Sequence, residues 1–154
     1  MQQNYKNIFP ELPDHSRIWI YLSDRKFTEA ESSEIEHAIE AFVESWTSHQ
    51  NRVKAAGTLL FSQCIILALD EDVEAASGCS IDSSVHLIKS LGQKYNVDFF
   101  NRLNMLVLIH GEVKMVHYHE LESYEQHKIF NPSIDKLKDL RENWLVPLKE
   151  TLFI

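Results

Sequence analysis

Cysteine is scarce in this chain: Cys64 and Cys79 are the only two in 154 residues. That is too few for a disulfide framework in a domain of this size. Cys64 opens an apolar run and reads as a small buried hydrophobe, whereas Cys79 stays open to chemistry. Glycine is limited to Gly57, Gly78, Gly92 and Gly111, so no P-loop can be built, and no G-x-G-x-x-G, H-E-x-x-H, C-x-x-C or G-x-S-x-G occurs. The longest unbroken apolar run is Cys64–Leu69, far short of the ~20 residues of a membrane helix. Cations are outnumbered, 15 Lys and Arg against 23 Asp and Glu for a net charge of −8. No basic cluster offsets that balance, so nucleic acid is not an expected partner. The opening Met1-Gln-Gln-Asn-Tyr-Lys has no apolar segment of a secretory signal. A cytoplasmic protein without a membrane partner is expected.

What is present suits one ordinary domain, with 44% hydrophobic and 25% charged residues. Residues 1–16 carry Pro10 and Pro13 without periodicity and read as an N-terminal arm. Arg17–Ser23 is β-branched and aromatic, a strand. Thr28-Glu-Ala-Glu31 is a capping box, and Ile35, Ala38, Ile39, Phe42, Val43 and Trp46 follow at helical spacing, predicting a helix over about 28–48. Val53–Phe61 and Cys64–Asp70 read as strands, and about Ile81–Tyr95 as a second helix. Met105–Ile109 and Val113–Tyr118 form a hairpin whose Gly111-Glu112 loop suits a type II′ turn. Glu120–Lys128 has helical character, and Ser133 is placed to cap a last helix ended by Pro147. Residues 133–154 would then pack on the domain.

This order predicts an α+β fold: a ferredoxin-like β-α-β-β-α-β sheet with strand order 2-3-1-4 and a fifth strand beside the fourth. Lys54 and Lys114 would blunt its edges. The runs CIILAL and MLVLI are apolar on both faces, so both faces should be covered, the second by the C-terminal segment. The third strand lacks the aromatics that an RNA-binding sheet of this kind uses.

Four groups could carry chemistry. Ser77-Gly-Cys-Ser80 lies just before the second helix, at a terminus where free N–H groups favour an anion and can activate a thiol. The predicted topology gathers Arg17, Arg52, Lys54 and the turn of His110 at that end. Ser77, Gly78, Cys79, Ser80, Arg17 and Arg52 are therefore candidate ligand-binding residues, and Cys79 with His110 a candidate nucleophile and base. The plain alternative makes Ser80 the helix cap and Gly78 a turn. His117 and His119 share a strand face and are the metal candidates, but no third ligand is evident, and no metal or cofactor is expected. Asp70-Glu-Asp72 with Glu74 could hold Mg²⁺, but reads as a solvated loop. Asp24-Arg25-Lys26 is either an exposed site or ordinary surface.

The stretches SRIWIYLSDRKFTEAE, FVESWTSH, ASGCSIDSSVHLIKSLGQKYNVDFFNRLN and ENWLVPLKE resemble an uncharacterised family of small Bacteroidetes proteins. Members are sometimes labelled ABC transporter ATPase, a label this chain departs from because it lacks a Walker A loop and an LSGGQ-like stretch. The resemblance implies no catalytic residues. The expected function is a module binding a small anionic ligand or a protein partner, and the competing one a thiol enzyme or sensor built on Cys79. Whether the chain forms an oligomer is left open.

Overall fold

The computed structural model describes residues 4–154. Strand β1 spans Arg17–Leu22 and helix α1 Glu29–Ser45. A small hairpin follows, β2 (Thr47–Ser48) and β3 (Asn51–Arg52). Then come β4 (Lys54–Leu60), β5 (Cys64–Asp70) and α2 (Gly78–Tyr95). The chain continues through β6 (Asn104–Ile109), β7 (Glu112–His117) and β8 (Lys128–Phe130) to α3 (Leu137–Asn143) and β9 (Leu145–Pro147). The fold is α+β, with antiparallel sheets ordered β1-β5-β4 and β7-β6-β8-β9. No helix among the described residues is long and apolar enough to cross a membrane.

Every residue of β5 is buried, and alternation sends its side chains to two different cores. Ile65 and Leu67 join Ile35, Ile39, Ile88 and Leu91 beneath α1 and α2. Helix α1 lies close on β4, because a Cβ at Gly57 would come within 2.6 Å of Ile39 and 2.9 Å of Leu67. Cys64, Ile66 and Ala68 point the other way and meet Leu106, Phe130 and Trp144. The outer face of the second sheet, with Val107, Val116 and Ile129, is covered in turn by Leu121 and Leu148 from two 3₁₀ turns. The layers run helices, sheet, sheet, turns.

The first three predicted strands pair in the expected 2-3-1 order, but the fourth does not extend that sheet. Among the described residues β6 has β7 and β8 as neighbours, not β1, while the fifth strand does lie beside the fourth. An apolar strand needs both faces covered, and stacking one sheet on another meets that need as well as edge-to-edge addition. The C-terminal segment helps build this second layer: Leu137, Leu140 and Trp144 are buried as expected. Ser133 does not cap the helix, however, which starts at Leu137. Leu145–Pro147 is an edge strand, where Pro147 is tolerated. Residues 118–124 are 3₁₀ rather than α-helical.

The hairpin turns also differ from expectation. Ile109 pairs with Glu112, so the β6–β7 loop is His110-Gly111, and both have positive φ (49° and 81°). That is a type I′ turn shifted one residue from the expected II′, and it puts Val113 opposite Leu108. The β4–β5 turn places Phe61 and Ser62 at φ 57° and 54°, an unusual conformation for a bulky residue. The Phe61 ring is held in an aromatic cluster, stacked on Trp144 at 6.0 Å and 5.2 Å from Phe130.

The described part of the N-terminal arm is folded in rather than extended, and its first three residues lie outside the described region. Ile8 and Leu12 enter the core between the sheets. The Arg141 guanidinium donates to the carbonyls of Ile8, Phe9 and Leu12 and pairs with Asp14 at 2.8 Å.

Trp46, just past the end of α1, packs on Trp19 and Phe42, and its indole N–H donates to the Ser80 carbonyl at 2.9 Å. It therefore joins the end of α1 to the start of α2. Trp46→Ala is expected to cost about 3–5 kcal/mol, the figure for a large core aromatic, read as a lowered denaturation midpoint. An unchanged midpoint would contradict this packing.

Candidate functional site

The place beside β1 that β6 does not take is only partly filled. At its first residues, Ile18 N–H donates to the Asp135 carbonyl at 3.0 Å and Leu137 N–H to the Ser16 carbonyl at 2.9 Å. Further along, the outward backbone of Ile20 and Leu22 meets no other strand among the described residues. These residues form one wall of a cavity of about 520 Å³ that runs between β1 and β6. Phe99, Phe130, Trp144 and Phe153 make its sides apolar, with Asn101, Arg102, Asn104 and Ser133 around them. Two Asx turns hold the loop that carries Arg102: Phe100 N–H donates to Asp98 Oδ1 at 2.8 Å and Leu103 N–H to Asn101 Oδ1 at 3.0 Å.

Among the described residues, Arg102 is the only one lining this cavity with a charged side chain, and it makes no ion pair with any of them. Cys64 also reaches the cavity, but burial pushes its thiol up to about 12, so at neutral pH it contributes a neutral sulfur. A second, wider hollow of about 1050 Å³ lies between α1 and the β4–β5 and β6–β7 turns. Glu29, Glu36 and Glu112 make its rim mainly acidic. Glu36 is already engaged there, accepting from the Thr58 hydroxyl at 2.7 Å and from the Leu59 N–H.

The Ser77–Ser80 segment caps α2, with Ser77 rather than Ser80 as the cap residue. Ser77 Oγ accepts from Ser80 N–H at 3.1 Å, and Ser80 Oγ from Ser77 N–H at 2.7 Å. The preceding loop carries its own carboxylate, as Glu71 accepts from Ala76 N–H at 3.0 Å. Arg17 pairs with Leu69 and so stands at this end of the sheet, its guanidinium 4.8 Å over the Trp19 ring. Arg52 is exposed on β3. Neither arginine hydrogen-bonds to the Ser77–Ser80 segment.

Cys79 is exposed in the first turn of α2. His110 belongs to the other end of the molecule, because its neighbour Gly111 lines the wide hollow beside Phe61 and Ser62. The seven residues of β5 separate the two ends, about 20 Å at ~3.3 Å per residue. His110 packs instead on His127, with ring centres 5.2 Å apart. His117 and His119 stack at 4.9 Å, and no carboxylate joins them in a ligand cluster among the described residues. Lys54 stands opposite Asp70.

Within Asp24-Arg25-Lys26, the Arg25 side chain has a structural role. Arg25 forks onto both Glu31 oxygens at 2.9 Å and donates to the Tyr95 carbonyl at 3.0 Å. It thereby ties the start of α1 to the end of α2.

No family model matches this chain, and neither the curated proteins nor the solved structures contain a match to it.

Arg102 and its aromatic neighbours were not picked out from the sequence. The available signal was Phe99-Phe100-Asn101-Arg102, an aromatic pair beside a lone cation in a segment without periodicity.

Two outcomes are expected here. In the native protein an alkylating reagent should modify Cys79 alone, and Cys64 only after denaturation, as counted by mass spectrometry. Equal labelling of both thiols would show that Cys64 is accessible. The second concerns Glu31, which Arg25 and the Thr28 N–H hold at about 2, against an ordinary 4.5. A carboxyl depressed on folding stabilises above its unfolded pKa, and this stabilisation is lost as pH falls through the folded one. The stability advantage of wild type over Glu31→Gln should therefore be present at pH 6 and shrink between about 4.5 and 2. Denaturation midpoints measured across that range check it.

Proposed function

We propose that the chain is a binding module for a small amphipathic anion, an aromatic or acyl carboxylate, held in the cavity between β1 and β6. The observation that carries this reading is Arg102, the one charged residue among the described lining of a mainly apolar, aromatic-walled cavity, in a protein of net charge −8. A pocket of about 300–1,000 Å³ with apolar walls and few polar groups is the usual form of a small-molecule site. Arginine presents a planar fork that matches a carboxylate in two parallel hydrogen bonds. The aromatic side chains supply the apolar surface for the body of the ligand, and the Asn101 and Asn104 amides supply further polar groups.

Read as a ferredoxin-like sheet, the β1-β5-β4 order lacks a fourth strand, and in this reading that strand's place is the ligand's. Arg102 is preferred to the anion site expected at Ser77–Ser80, because the Ser77 and Ser80 N–H groups already donate to that segment's own hydroxyls and Glu71 places a carboxylate on the adjacent Ala76 N–H.

Calorimetric titration with 4-phenylbutyrate and laurate, each beside its neutral amide, tests the reading. Carboxylates should bind, and Arg102→Gln should weaken them by about tenfold, the lower end for a hydrogen bond to a charged group. The amides should be insensitive to the substitution. Absence of binding, or equal loss for acid and amide, would overturn the proposal.

A further inference from the structure

His15 stands just ahead of β1, Asp70 ends β5, and Asp72 lies in the loop beyond. Their potential ligand atoms lie within 4.8 Å of one another. His15 Nε2 is 2.5 Å from Asp72 Oδ2, and Asp70 Oδ1 accepts from Asp72 N–H at 3.0 Å. The pairing of β1 with β5 brings these parts of the chain together.

Two further features show that the cluster is short of a partner. Asp70 is only 6% exposed, yet no Lys or Arg comes within 4.0 Å of it among the described residues. Lys54, its cross-strand neighbour on β4, does not pair with it. A buried carboxylate ordinarily needs an opposite charge as well as hydrogen bonds. The second feature is Ser16, which is fully buried and whose hydroxyl has no hydrogen-bond partner.

The register sets Ser16 on the same face as Asp70. One step beyond Arg17↔Leu69, Ser16 stands opposite Asp70. Ile18 N–H and the Ser16 carbonyl point outward, to Asp135 and Leu137. Ser16 and Asp70 are therefore a non-hydrogen-bonded antiparallel pair, the kind in which side chains on the same face approach most closely.

We propose that His15, Asp70 and Asp72 bind a first-row divalent cation, zinc or manganese, with the Ser16 hydroxyl directed at the same centre. One imidazole with two carboxylates favours these ions over Mg²⁺ and Ca²⁺, which prefer oxygen ligands alone. The cation supplies the charge that Asp70 lacks and replaces the direct contact between His15 and Asp72. Three protein ligands leave room for water or an external group. Binding also fastens the N-terminal arm to the loop between β5 and α2, so it stabilises the folded state.

Calorimetric titration of the metal-stripped full chain with ZnCl₂ and MnCl₂ tests this, with MgCl₂ and CaCl₂ alongside. One site per chain is expected. His15→Ala and Asp72→Ala, both at exposed side chains, should each lower affinity by about tenfold or more. A variant carrying both His117→Ala and His119→Ala should bind as wild type does. Metal should raise the melting temperature of wild type and not of His15→Ala, whose folding circular dichroism verifies. No binding at about 1 mM metal, affinity unmoved by His15→Ala and Asp72→Ala, or loss of binding in the His117/His119 variant would each overturn the site.

Discussion

The double burial of β5 organises the molecule. An all-apolar strand at the centre of a sheet leaves two faces that water would penalise. One face is covered by α1 and α2, and the other by the second sheet with Trp144 behind it. Because that second cover is a stacked sheet, β6 spends its edges on β7 and β8. The outer edge of β1 is then left to the short segment at Asp135–Leu137 and to the cavity. The cavity is thus a consequence of how the core is covered.

Two polar fastenings tie α1 to α2, one at each end of the pair. The indole of Trp46 reaches the Ser80 carbonyl from the far end of α1. At the opposite termini, Arg25 reaches from the start of α1 to the Tyr95 carbonyl at the end of α2. Arg141 does comparable work on the N-terminal arm by donating to the carbonyls of Ile8, Phe9 and Leu12. Arg25 of the SDRK segment thus belongs to a clamp, and Ser80 of GCSID to the cap of α2.

The site was less legible than the fold. The Thr28–Glu31 capping box, the buried face of α1 and the pairing of β4 with β5 follow from spacing within a few residues. Arg102 carries no such signature, because its meaning depends on Phe130, Trp144 and Phe153 arriving from distant parts of the chain. The same holds for His15, which gains Asp70 and Asp72 as neighbours only through the β1–β5 register.

The sequence by itself determined α1 and α2, the central strands, their two-sided burial and the capping of α1, because each depends on side-chain period and on hydrogen bonds between near neighbours. Only the tertiary structure decided whether β6 would extend the first sheet or cover it. Both arrangements bury the same apolar residues, so the hydrophobic pattern is silent between them. The difference lies in which backbone edge is paired and which stays open. Backbone groups are the same in every residue, and their pairing is settled only when the layers meet.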